Sequence, residues 1–211
     1  MINFKGVMAG TSLFHPALYL IPIAYIIGSI PFGVLVARQK GIDLQNVGSK
    51  NIGATNVLRT AGKGAALATL LGDSLKGAAV VMLGRLMLGS EFWEGAMGIS
   101  AILGHLYPVF LSFKGGKGVA TSFGMLAAYS PLPAVILIII WIFTAFFTKY
   151  SSLAAITAFI SLPVIFLLFG ASSIKISFAI LLAILIILRH KDNIKRLLAG
   201  TEKKIGDKVK E

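Results

Sequence analysis

The sequence predicts an all-α, polytopic membrane protein of about seven transmembrane helices, one or two of them short. The N-terminus is expected outside and the C-terminus in the cytoplasm. Three observations predict this. The chain of 211 residues is 56% hydrophobic, with a mean hydropathy of +0.87, well beyond what a soluble core needs. Apolar runs long enough to cross roughly 30 Å of hydrocarbon recur through most of it. Counted as spans, those runs leave 16 of the 20 lysines and arginines on one side.

The elements follow in order. Residues 1–16 form an extracytoplasmic lead-in with a single lysine and no convincing small-residue cleavage site. The apolar run from Ala17 to Val36 is therefore a retained first span, not a removed targeting peptide. Pro31, inside GSIPFG, kinks it, and Gly28, Ser29 and Gly33 permit close helix contact. A polar loop runs from Arg38 to Lys63. The second span, Ala65 to Gly89, contains GDSLKG, which sets Asp73 and Lys76 on one helical face as a self-neutralising pair. After an acidic break at Ser90-Glu91, the third span runs from Gly95 to Phe113, with His105 in a buried hydrogen bond. Residues 118–148 read as two helices meeting at Ser130-Pro131-Leu132-Pro133. The first is only about thirteen residues long, so it either crosses a thinned region or re-enters. A sixth segment covers Ser152 to Phe169 and a seventh Ile174 to Leu188. The tail, 189–211, is basic and partly amphipathic and lies along the interface. No fixed-period repeat is present, so 1–211 is a single domain.

Charge sets the orientation and prunes the function classes. The one-sided set is Arg38, Lys40, Lys50, Arg59, Lys63, Lys114, Lys117, Lys149 and every basic residue from Arg189 onward. The positive-inside rule puts these stretches in the cytoplasm, and the parity survives whether 118–148 spans or re-enters. A net charge of +12 distributed between apolar spans points to membrane orientation and anionic ligands, not nucleic acid. With no cysteine, disulfides, thiolate metal sites and a cysteine nucleophile are excluded. No H-x-x-x-x-D dyad follows any histidine. Before the tail the acids are only Asp43, Asp73, Glu91 and Glu94, too scattered for a metal-holding cluster. Neither a metal nor a cofactor is expected.

Three polar stretches carry the candidate chemistry. The first to stand out is Lys114 to Ser122, KGGKGVATS. Its glycines Gly115, Gly116 and Gly118 let backbone N–H groups converge on an anion flanked by Lys114 and Lys117, and a helix starting near Val119 adds its positive end. It is not a Walker A loop, because Gly118 follows Gly116-Lys117. The second, in the first polar loop, is dense in Ser49, Asn51, Gly53, Thr55, Asn56 and Arg59. Short hydroxyl and amide groups beside an arginine suit a polyol phosphate. An ordinary solvated loop with a helix cap at Thr55 or Asn56 is the alternative. The third, in the tail, sets His190 and Asn193 three apart on one helical face. His190 is the one histidine at the charged edge, where a general base would be useful.

Taken together, GSIPFG with GSKNIGATNVLRTAGKG, then GHLYPVFLSFKGGKGVATSFG, then RHKDNIKRLLAGTEKKIG resemble the three cytoplasmic motifs of the bacterial acyl-phosphate:glycerol-3-phosphate acyltransferases. They occur in the right order over nearly the whole chain, with GDSLKG between the first two. Lys50 departs from the pattern, which has glycine there. The resemblance implies transfer of an acyl group from acyl phosphate to the sn-1 hydroxyl of glycerol 3-phosphate at a bacterial inner membrane, the first step of phospholipid synthesis. It implies no cofactor and no obligatory protein partner, with membrane lipid and the two phosphates as the molecules bound. It assigns Lys114, Gly115, Gly116 and Lys117 to phosphate binding, Ser49, Thr55 and Arg59 to the first part of the site, and His190 and Asn193 to the third. Glu202 matches a structural position. The proton of the attacking hydroxyl goes either to His190 or to an oxygen of the acyl phosphate. Competing readings are an organic-phosphate transporter, which would place its ligands near the midplane with repeat symmetry, and a lipid-binding scaffold.

Overall fold

The computed structural model describes residues 15–207, so all but the last two residues of the expected lead-in, and the final four of the tail, lie outside the described residues. Every regular element described is helical. Helix α1 (Ala17–Ser29) is broken from α2 (Phe32–Arg38) at Ile30-Pro31, where the proline cannot donate into the preceding turn. Together they make one apolar stretch of 22 residues. The polar loop expected from Arg38 to Lys63 contains a short helix, α3 (Ala54–Ala61), before the long α4 (Lys63–Leu88).

Helix α5 (Glu91–Leu106) begins earlier and ends sooner than the sequence suggests. Glu91 and Glu94 stand in its first turn, where carboxylates complement the positive helix end. Pro108 prevents continuation, so Tyr107 to Ser112 leave the helix through a 3-10 turn at Val109–Leu111. Then come α6 (Val119–Tyr129) and α7 (Pro131–Thr148), which meet at Ser130, followed by α8 (Ser151–Leu168) and α9 (Ser173–Arg189). Helix α10 (Lys191–Leu198) turns off α9 by 60° at His190. Four of the described stretches are long and apolar enough to cross a membrane alone, five if the bent α9–α10 pair is one span. Helix α5, with 16 residues, and α6, with 11, are shorter.

The main core lies where α5, α6, α7, α8 and α9 meet, around Phe159, Phe166, Leu162, Leu137 and Ile102. Two helix pairs approach more closely than side chains would allow. A Cβ at Gly28 would strike the Ala101 carbonyl of α5, and one at Gly124 would strike the Ser74 carbonyl of α4. The outward faces carry Phe143, Phe146, Phe147, Leu167 and Leu168, exposed as lipid contact requires. A smaller core of Val34, Ala37, Leu44, Ile52 and Val57 supports the first polar loop at one end of the bundle. The tail returns to that same end, where the Ile205 N–H donates to the Lys149 carbonyl at 2.7 Å. The polar segments, distant in sequence, thus converge on one end.

Candidate active site

The lysine–glycine loop owes its shape to α5. Its Gly116 N–H donates to the His105 carbonyl at 3.0 Å, and a Cβ at Gly115 would run into the carbonyls of His105 and Leu106. Gly118 adopts φ +81°, a left-handed conformation that favours glycine, and caps α6. The first-turn amides of α6 therefore face back toward the loop. Thr121 and Ser122 lie in that turn with buried hydroxyls that have no partner among the described residues.

From this loop, Lys117 reaches across to the tail. Its Nζ donates to Asn193 Oδ1 at 2.5 Å, and Asn193 Nδ2 donates to Glu202 Oε1 at 2.6 Å. Glu202 also accepts from Ser152 Oγ at 2.7 Å and from Arg196 Nε at 2.7 Å. Burial works to raise the Glu202 carboxyl, but these donors outweigh it and hold the group below the usual carboxylate range. Burial pushes Lys117 down to about 8; Glu202 opposes that shift, and Arg196, Arg59 and Arg189 reinforce it. Lys117, Arg196, Arg59 and Arg189 thus stand against the carboxylates of Glu202 and Asp207, an excess of positive charge that suits an anionic ligand.

His190 is buried just past the end of α9. Burial, with Lys117 nearby, pushes its imidazole down to about 4, so the ring is neutral near pH 7. Its Nδ1 lies 2.7 Å from the Ile186 carbonyl, which can only accept, so Nδ1 carries the proton and Nε2 keeps a free lone pair.

The other sequence-predicted residues divide into two groups. Arg59, at the end of α3, donates from Nη2 to the carbonyls of Lys203 and Lys204 at 3.1 and 3.0 Å, while its buried Nε has no partner among the described residues. Thr55 lies in the first turn of α3, its Oγ1 3.1 Å from Ser151 Oγ at the start of α8. Asn56, by contrast, is consumed within its own loop. It accepts from the Ser49 N–H at 2.8 Å and donates to the carbonyls of Val47 and Asn51 at 3.1 and 2.9 Å. Ser49 is exposed and joined to this lattice through its backbone, and Lys114 is exposed at the rim. Asn51 turns its Oδ1 to the Gly53 N–H at 2.9 Å.

Sequence reasoning missed Arg189, Ser151 and Ser152. Arg189 donates to the Gly115 carbonyl at 3.2 Å and the Gly116 carbonyl at 2.9 Å, and stacks on the Tyr107 ring at 5.1 Å. It was legible only as one more orienting charge. The serines stood at the start of an apolar run, where hydroxyls read as helix entry.

The family profile described as glycerol-3-phosphate acyltransferase matches residues 18–200. A glycerol-3-phosphate acyltransferase of Mesorhizobium japonicum is 50% identical over 186 residues, covering 87% of this chain and 93% of that protein. One from Neisseria meningitidis serogroup A is 47% identical over 193 residues, covering 89% and 96%. Among solved structures, the glycerol 3-phosphate form of PlsY, an integral membrane glycerol 3-phosphate acyltransferase, is similar with a TM-score of 0.87 and 42% identity. It covers 91% of this chain and 96% of that one. The lysophosphatidic acid form of the same enzyme has a TM-score of 0.85 at 40% identity, with the same coverage.

Proposed function

The chain belongs to the glycerol-3-phosphate acyltransferase family, and from that premise we propose how its own residues perform the reaction. The protein is a multi-pass membrane acyltransferase that places an acyl group on glycerol 3-phosphate, giving lysophosphatidic acid. In our reading the donor is acyl phosphate, the acceptor oxygen is the sn-1 hydroxyl, and the site opens to the cytoplasm at the inner membrane. One observation carries the reading: Lys117, Asn193 and Glu202 link the loop before α6 to the tail, inside a cluster with more positive than negative charge. Sixteen basic residues on that side favour the cytoplasmic orientation.

Acyl phosphate is already activated, and its phosphate can leave carrying the proton of the attacking hydroxyl. The attacking oxygen forms the new ester bond to the carbonyl carbon. The bond from that carbon to the phosphate oxygen breaks, and phosphate leaves with the electron pair. Two anions must lie side by side for this to happen, and Lys117, the free Nε of Arg59 and the first-turn amides of α6 supply the compensation. Asn193 positions Lys117, since both polar ends of its amide are engaged. Asn56 shapes the first loop, while Ser49 and Thr55 line it.

The low basicity of His190 decides its part. A ring held near 4 is a weak base at pH 7, whereas a phosphate oxygen, with a second pKa of about 6, is a stronger one. His190 Nε2 accepts the hydroxyl's hydrogen bond and orients it, and the phosphate oxygen takes the proton. The test is purified protein given glycerol 3-phosphate with either acyl phosphate or acyl-CoA, in EDTA. Lysophosphatidate with stoichiometric phosphate from the first donor alone is expected. Product from acyl-CoA alone overturns the donor.

A further inference from the structure

Behind the lysine–glycine loop lies a second polar cluster, made of side chains that the proposed mechanism does not use. Asp73 and Lys76 on α4 and His105 on α5 are all at most 4% exposed. Lys76 Nζ lies 2.7 Å from Asp73 Oδ1, 2.7 Å from the Ile30 carbonyl and 3.0 Å from His105 Nδ1. An ammonium has three N–H groups and accepts nothing, so it meets the Ile30 carbonyl and His105 Nδ1 as a donor, while Asp73 Oδ1 pairs with it as an ion and lies 3.4 Å from the same Nδ1. Nδ1 of His105 is then an acceptor, and the ring proton sits on Nε2. That edge faces the loop, because a Cβ at Gly116 would collide with Nε2. Ile30 is the break between α1 and α2, and α2 leads directly into the polar loop that carries Ser49 and Arg59.

We propose that Asp73, Lys76 and His105 are positioning residues that pin the α1–α2 break to the floor of the lysine–glycine loop. The two phosphate-binding segments are thereby held in one register. The cluster is electrically balanced, with one carboxylate against one ammonium, and the His105 edge that carries Nε2 is turned to Gly116. This rests on the assignment of that loop to phosphate binding. A pair that merely neutralised itself within α4 would need neither the Ile30 carbonyl nor the imidazole.

The paired variant Asp73→Asn/Lys76→Met removes both charges at once, so no uncompensated ion is buried. The expected result is a thermal unfolding profile like wild type, with KM for one or both phosphate substrates raised about tenfold and kcat changed less than about threefold. A second measurement is the cycle of His105→Ala with Gly116→Ala. A methyl at 116 strikes the imidazole, so the double variant should be no worse than Gly116→Ala alone. Wild-type KM values in a folded paired variant, or strictly additive losses in the cycle, overturn the proposal. If the paired variant does not fold, the cycle decides alone, since His105→Ala buries no charge. A wild-type protein that makes no lysophosphatidate would instead refute the proposed function.

Discussion

The molecule holds two polar clusters, and they are built on opposite plans. The one at the mouth joins Lys117, Asn193, Glu202, Arg196 and Ser152 from three distant segments, with an excess of positive charge. The one within the bundle joins Asp73, Lys76 and His105 from two adjacent helices, with its charges balanced. Spare donors at the mouth are capacity for an anionic reactant. Spare donors among packed helices would be a cost with no return, since an unpaired polar group in apolar surroundings loses its hydration uncompensated. The contrast separates groups that bind from groups that hold.

The sharpest way to break that contrast is Lys117→Met. If the mouth cluster binds a reacting phosphate, the loss of this cation removes about 2.7–4 kcal/mol of transition-state stabilisation, a fall in kcat/KM of about 10²–10³. The fold should survive, because Met fills the same channel and Asn193 retains Glu202. Steady-state kinetics on detergent-solubilised protein checks it. A loss below about tenfold would mean Lys117 is not among the principal phosphate ligands.

A smaller effect comes from pH. Lys117 is pushed down to about 8, so its cationic form dominates at pH 7 and is lost as pH rises through 8. Both substrates are fully ionised phosphates by then, so an alkaline limb belongs to the protein. The profile of kcat/KM, which reports the free enzyme, should fall about tenfold per unit above pH 8. Lys117→Arg keeps the charge at any accessible pH and should move that limb out of range. A flat profile to pH 10 would place the titrating cation elsewhere.

How far the sequence foretold these two clusters depends on what each is made of. The glycine-flanked lysines, Arg59 and the His190–Asn193 spacing carry their chemistry in local residue order, so the mouth was legible before any coordinates. Asp73 and Lys76 were legible as an i, i+3 pair. Their union with His105 was not, because it depends on how α4 and α5 cross, and on glycine contacts such as Gly84 on Met97 that set the spacing of that pair. Asn56 shows the reverse failure. An amide among short polar residues reads as a ligand-binding group, yet its hydrogen bonds all turn inward to its own loop. The break at Ile30-Pro31 was foretold as a kink, but the lysine that anchors its carbonyl lies 46 residues away.

The mildest test concerns Lys50. It sits at φ +58°, a left-handed conformation that costs a side-chain-bearing residue about 1–2 kcal/mol. Lys50→Gly relieves that strain and gives back about 0.4–1 kcal/mol through the freer unfolded chain. The net should be a rise in Tm of about 1–3 °C. Lys50 is exposed, so the charge it loses acts on the mouth only through solvent. The expected fall in kcat/KM is therefore less than about threefold at low salt and vanishes in about 0.5 M salt. A large loss that persists in high salt would make Lys50 a direct member of the mouth cluster, and would extend the binding surface along the first loop beyond Arg59.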